Sequence, residues 1–432
     1  MNKENRTISL FGAIAIGVGG MVGGGIFAVL GEAVSLAHGA TIIAFLLAGL
    51  VAILTSYSYA KLSVEFQSKG GTVSFIDNAF GHNFLSGSVN FILWLSYLVT
   101  ISLYAVAFSS YAEVLFFDNP TVLIKHIFIS LAIILPLVIN LISASFVSKS
   151  ETILVVIKVV LLIIIILSSI TFVDNQRFSY LQWEDSFSIL IAGMVIFVAY
   201  EGFELIANAA EDIKNPKTNL PKAFYGSVIL VIILYVLIAY ITVGTVEESV
   251  LLKAKDYALA IAAKPALGEI GFTIVAIAAL LATFSAINAT IYGNGRLGYI
   301  LAMEGELPKR LNKEKNSIPN VSILVTAFFS LIIANSIDLT QIAIIGSASF
   351  LLIFFIVNIA AFKLYKQLKA NRVITFISCI VSFIALLTLL IHTFFTDKQA
   401  VIIFFIFIIC AILFEAIYGR MIRKQIFNRP YN

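Results

Sequence analysis

Long apolar runs recur along the whole chain, and they restrict the fold more than any other feature. Each approaches the roughly 20 residues that a helix needs to cross a hydrocarbon core. That core offers nothing to an open peptide group, so spanning segments are helices or closed barrels. These runs are continuous rather than alternating, which selects helices. The rest of the 432 residues agrees, with 60% hydrophobic, 12% charged and a mean hydropathy of +1.02. The chain therefore reads as an all-α polytopic membrane protein. No hydrophilic stretch is long enough for a separate soluble domain. MNKENRTISL before an apolar run has the outline of a secretory signal, but the run is too long and lacks a small-residue cleavage site.

Twelve helices are predicted, over residues 9–34, 40–62, 85–115, 123–142, 152–172, 187–210, 223–243, 267–302, 321–334, 339–364, 373–394 and 400–417. The eighth continues past the membrane surface. Charge sets their orientation. Of the 28 lysines and arginines, only Lys125, Arg177, Lys253, Lys255, Lys264 and Lys398 fall on one side, and Lys158 lies within a run. The other 21 share the opposite side, which is the cytoplasmic one by the positive-inside rule. Both termini are then cytoplasmic, in a multi-pass protein of the cell membrane. The same asymmetry accounts for the net charge of +4 without a nucleic-acid partner.

Cys379 and Cys410 sit inside apolar runs and form no disulfide framework. His38, His82, His126 and His392 are isolated and read as interfacial or packing residues, so no metal site and no cofactor is expected. Between residues 243 and 267, GTVEESVLLKAKDYALAIAAKP is too polar to span. It reads as a short external helix, either a lid over an entrance or an ordinary connector.

The first run, FGAIAIGVGGMVGGGIFAVLG, is dense in glycine. Each helix-interior glycine costs about 1 kcal/mol relative to alanine. Gly23, Gly24 and Gly25, just after Gly19 and Gly20, predict a local unwinding. Unwound backbone at membrane depth must line a cavity or be buried in protein. The alternative is close packing of helices through small residues. The sixth run, FSILIAGMVIFVAYEGFELIANAAEDIKNP, carries Glu201 and Glu204 at membrane depth with Gly202 between them. Intramembrane carboxylates mark functional sites by default, and Gly202 is a second weak point. Interrupted helices in corresponding positions point to an inverted-repeat transporter with its site near the midplane. Helices one to five (residues 8–173) and six to ten (186–366) would form the halves, and 372–420 would lie outside. This reading rests on the placement of the breaks, since direct similarity between the halves is weak.

Three stretches resemble the amino acid–polyamine–organocation superfamily. GAIAIGVGGMVGGGIF resembles its first-helix signature. YEGFELIANAAEDIKNPKTNLPKA resembles its sixth-helix signature, and NATIYGNGRLGYILAMEGELPKRL its eighth-helix region. They occur in matching order over nearly the whole chain. In SYAKLSVEFQSKGGTVSF, Lys61 and Gln67 depart from the family's usual glutamate and proline. The pattern is closest to the proton-coupled, broad-specificity amino acid transporters of the superfamily.

The resemblance implies a LeuT-like 5+5 inverted repeat with broken helices 1 and 6, plus two further helices. It also implies an amino acid substrate, and a zwitterion suits a broken helix. Amides opening a half-helix favour a carboxylate, which assigns that group to Val22, Gly23, Gly24 and Gly25. Carbonyls around Ile16, Gly19, Phe197, Val198 and Tyr200 would hold the amine. Phe197 or Tyr200 would serve as an aromatic gate, or would simply pack. Lys158 stands in TILVVIKVVLLIIIIL. The resemblance implies that it faces the first and eighth helices, where sodium-coupled relatives bind an ion. Its ammonium would lie near Gly19 and the hydroxyls of Thr283 or Ser285 and carry the coupling proton. The alternative is a lysine snorkelling toward the interface, seven residues from Glu151. Glu204 is a candidate for gating or coupling. Glu201 would recognise a cationic side chain or pair with a buried polar group.

The expectation is a secondary amino acid transporter taking up substrate with protons by alternating access. The rival is an exchanger for cationic amino acids or polyamines. An intramembrane enzyme would need clustered His/Asp ligands or a nucleophile–base pair, and the sequence offers neither. Besides the substrate and the lipid bilayer, a homodimer through the last two helices is the one partner considered.

Overall fold

The computed structural model describes residues 6–142, 144–315, 318–426 and 429–430, with only the backbone described at 144–152, 425–426 and 429–430. The orientation charge Lys3, and the side chains of Lys149, Glu151 and Arg429, lie outside the described residues. Among the described residues ten helices are long and apolar enough to span, and Leu10–Met21 with Gly25–Ala37 adds a pair bent by 48°. The shorter apolar helix Asn320–Ser336 completes the predicted order as the ninth span.

The second to fifth spans are Thr41–Glu65, Phe84–Phe116, Val122–Ile142 and Ala144–Ser169. The sixth is Ser186–Asn208, the seventh Pro216–Thr245 and the eighth Lys264–Glu304. Leu339–Lys363, Arg372–Thr396 and Lys398–Phe414 follow. The seventh starts earlier than predicted because Pro216 suits a first helical position. Gly268 (φ 60°) bends the start of the eighth. The first span opens on Ser9, whose hydroxyl accepts the Gly12 N–H at 3.2 Å.

One helix was not predicted. Thr72–Phe80 lies between the second and third spans, within residues 63–84 where no helix is predicted. It starts at Gly71 (φ 48°), where a Cβ would stand 2.0 Å from Asn208 Oδ1. Only glycine serves there.

Each of the first four spans packs against the span five later: first on sixth, second on seventh, third on eighth and fourth on ninth. Lipid provides little drive for helix association, so such contacts rely on small residues and close fit. Gly193 on the sixth span shows this, its Cα facing Ala44 O of the second. Polar residues turn inward. Asn140 of the fourth span donates to Asn288 Oδ1 of the eighth at 2.8 Å, and Asn358 of the tenth donates to Thr55 of the second at 3.2 Å. The outward faces carry exposed Phe376, Phe383, Phe405 and Ile409, as a lipid-facing surface should.

The polar segment after the seventh span folds into Glu248–Lys253, the 3-10 turn Lys255–Tyr257 and Ala258–Ala262. It docks on Gly25–Ala37. Lys255 pairs with Glu32, and Thr340 of the tenth span donates to the same carboxylate at 3.0 Å. On the opposite face, Arg6 donates to Gln67 Oε1 (2.6 Å) and to Ile213 O (3.2 Å). The N-terminal arm thus straps the first loop to the end of the sixth span, using one of the two residues that depart from the family pattern.

Candidate substrate site

The first span breaks where the glycines cluster. Val22 N–H is already taken by Val18 O at 2.7 Å, which ends the first half-helix. Gly23 and Gly24 follow in turn conformation, and the second half-helix begins at Gly25. The first amides of a half-helix have no intrahelical acceptor.

The sixth span breaks differently from the prediction. There is no point defect at Gly202. Instead Ile196–Glu204 is a nine-residue 3-10 stretch joining Ser186–Val195 to Leu205–Asn208. Such a stretch is long for this geometry, and neighbouring side chains hold it. Ser347 accepts the Val198 N–H at 2.9 Å and donates to Val195 O at 2.6 Å. Tyr200 donates to Phe45 O at 3.1 Å. Tyr235 donates to Met21 O (2.6 Å) and Ala199 O (3.2 Å), tying both breaks together.

The breaks cross in direct backbone contact. A Cβ on Gly202 would lie 2.1 Å from Gly20 C, and one on Gly25 would lie 2.7 Å from Ala199 Cα. The glycines therefore both unwind the helix and allow close packing; the two readings of the sequence hold together.

Beside this crossing is a cavity of about 130 Å³. The first span lines it with Ile16, Gly19 and Gly20, and the sixth with Glu201, Gly202, Glu204 and Leu205. Tyr97, Thr100 and Tyr104 come from the third span, and Ala286, Ala289 and Thr290 from the eighth. Tyr104 also lies against Gly24, so the break and the cavity share a wall. A hollow of about 420 Å³, lined by Lys69, Asp212 and Arg296 among others, meets the cavity at Leu205. It lies toward the face that carries the N-terminal arm.

Of the predicted site residues, Ile16, Gly19, Glu201 and Glu204 line this cavity. Gly23 to Gly25 are buried beside it, with Gly23 facing Ala286. Phe197 points elsewhere: its ring packs edge-on to Phe354 at 5.8 Å, within the aromatic core. Tyr200 packs on Tyr235 at 5.1 Å, and Val198 is buried against Gly346. Thr100 donates to Glu201 Oε1 at 2.6 Å. Thr72, on the unpredicted helix, donates to Glu204 Oε2 at 2.8 Å and bonds Tyr59 OH at 3.0 Å. The other oxygens, Glu201 Oε2 and Glu204 Oε1, have no hydrogen-bond partner among the described residues, and neither has Tyr97 OH.

Lys158 is 3% exposed. It is enclosed by protein. Its helix packs on the first half-helix and on the eighth span. Thr283 and Ser285 are buried on that eighth span, with the Thr283 hydroxyl donating to Ala279 O at 2.7 Å.

A further acidic cluster, which no sequence motif marks, lies near the N-terminal face. Oxygens of Asp77, Glu304 and Glu306 all lie within 4.8 Å of one another. An all-oxygen set of this kind suits a hard cation. Asn90 now donates into it, to Asp77 at 3.2 Å and to both Glu306 oxygens at 3.1 and 3.0 Å. Loss of water raises the pKa of Asp77, with the Glu304 charge adding to it. Burial likewise raises that of Glu306, with Asp77 adding to it. His82 approaches Asp77 at 3.6 Å.

Residues 8–419 match the family model described as amino acid permease. An uncharacterised protein of Methanocaldococcus jannaschii is 31% identical over 100% of this chain and 99% of its own length. The inner membrane transport protein YbaT of Escherichia coli is 31% identical over 88% of this chain and 89% of its own. The branched-chain amino acid permease BcaP of Lactococcus lactis is 26% identical over 84% and 83%.

Proposed function

This chain belongs to the amino acid permease family of the amino acid–polyamine–organocation superfamily, and from that premise we propose that it is a proton-coupled amino acid transporter of the cell membrane. The observation that carries this reading is the cavity at the crossing of the two broken spans. The substrate carboxylate is held by the Gly23–Gly25 amides, where a half-helix begins and its dipole favours an anion. The Val22 amide is spent on Val18 and does not share the task. The ammonium is held by carbonyls at Ile16 and Gly19, with the Phe197–Tyr200 stretch opposite. Pairing of each span with the one five later supports two inverted halves that rock against each other about this site. The docked segment at Lys255 and the hollow below Leu205 support a state closed on the far face and open toward the N-terminal, cytoplasmic one.

Lys158 carries the coupling proton. Its enclosure between the first half-helix and the eighth span supports a group that loads a proton in one state and releases it in the other. Its ammonium takes the place that sodium occupies in other members of the fold, between Gly19 and Thr283 or Ser285. Thr72 and Tyr59 hold Glu204 at the inner edge of the cavity as a gating group.

The test is uptake of a neutral amino acid into proteoliposomes with and without an inwardly acidic-to-neutral pH gradient. Accumulation should follow the gradient in the wild type and fail in Lys158→Ala. Uptake indifferent to the gradient but dependent on internal substrate would replace symport by the second reading, an exchanger for cationic amino acids or polyamines. Glu201 is the observation that favours that second reading.

A further inference from the structure

The cavity is short of positive charge. Glu201 is 3% exposed and Glu204 1% exposed, and each offers an oxygen without a hydrogen-bond partner among the described residues. Tyr97 OH, on a residue 7% exposed, is in the same condition. All three residues line the cavity, and its described lining contains no lysine, arginine or histidine. Buried polar groups are nearly always satisfied. A buried carboxylate without a cation costs several kcal/mol as an ion. A neutral side chain entering the cavity would leave that cost in place, whereas a cationic one would remove it.

The protein side of the arrangement is rigid. Thr100 fixes Glu201 Oε1 and thereby presents Oε2. Thr72 fixes Glu204 in the same way. The Tyr97 ring is held edge-on to Phe350 at 5.8 Å. Three buried oxygens without a hydrogen-bond partner among the described residues thus belong to residues of the third and sixth spans that line the one cavity beside the crossing.

We propose that Glu201, with Glu204 and Tyr97, forms a subsite for the side-chain cation of a basic α-amino acid. The inference rests on the transport reading above and names the substrate class of its site. The substrate is anchored at two ends, with its carboxylate on the Gly23–Gly25 amides and its side-chain ammonium or guanidinium on Glu201 Oε2. Charged hydrogen bonds of this kind are among the strong ones, so they set preference within an otherwise backbone-built and permissive site.

Equilibrium binding to the purified full chain tests this, with L-lysine, L-norleucine and cadaverine as probes. Norleucine lacks the side-chain charge, and cadaverine lacks the carboxylate. Lysine should bind at least tenfold more tightly than either. In Glu201→Gln, which keeps an acceptor for Thr100, the lysine-to-norleucine affinity ratio should fall at least fivefold. Tyr97→Phe, which keeps the ring contact, should lower the ratio at least twofold. Smaller changes in both variants, or a wild type that does not favour lysine over norleucine, would overturn the subsite. Cadaverine binding as tightly as lysine would overturn the two-ended anchor. Failed uptake of both amino acids by a wild type that still binds lysine would count against the transport reading alone.

Discussion

At the first break only the Val22–Gly24 turn leaves the helix, and the axis swings by 48°. At the sixth, nine residues tighten into a 3-10 stretch. The contrast extends to hydrogen bonding. Ser347, Tyr235 and Phe45 bind groups of the sixth-span stretch from three other spans. At the first break, among the described residues, the one such bond is Tyr235 to Met21 O, and the amides that open the second half-helix lie beyond it. One break keeps backbone donors in reserve. The other has its Val198 N–H and Ala199 O held by neighbouring side chains and contributes two carboxylate residues to the cavity lining. The first therefore suits the constant part of a substrate, and the sixth suits the variable part.

The largest test of this contrast lies where the breaks touch. Gly202→Ala forces a Cβ to within 2.1 Å of Gly20 backbone carbon. Backbone cannot rotate away as a side chain can, so the cost should reach the upper end of the overpacking range, about 3 kcal/mol. Folded yield on size exclusion should collapse. Gly226→Ala, where the nearest atom is 3.5 Å away, should elute like the wild type. Equal behaviour of the two variants would mean that the crossing does not hold the fold.

A smaller effect is expected from Tyr235→Phe, which frees Met21 O and Ala199 O together. Leaving buried acceptors unmet costs about 1–3 kcal/mol. The melting temperature should drop and KM for uptake should rise, because both breaks lose their shared tie. A drop in melting temperature without any change in KM would separate the tie from the site.

Much of the site was legible because its cause is local. Glycine weakens a helix wherever it stands, so Gly23–Gly25 announced a break, and a lone charge such as Lys158 in an apolar run announces itself. The extent of the sixth-span break was not legible. It depends on Ser347 and Tyr235, which lie far off in sequence and look like ordinary helix residues. Tyr97, Thr100 and Tyr104 are not legible for the same reason, since nothing local marks which face of the third span meets the cavity. Thr72 was hidden in an unpredicted helix, and the Asp77–Glu304–Glu306 cluster is assembled from separated segments. Phe197 was singled out for its position beside the break, but its ring faces Phe354. A 3-10 turn advances side chains by three residues per turn rather than 3.6, which shifts the direction of every residue along it.

The central claim is that the first break holds the carboxylate of an amino acid. It is tested most directly by a cryo-electron microscopy structure of the protein with saturating L-lysine. The account predicts ligand density beside the glycine–glycine crossing, with the carboxylate within hydrogen-bond distance of the Gly23–Gly25 amides and the chain running toward Glu201. Density that leaves those amides untouched, or that lies outside the cavity, would contradict it.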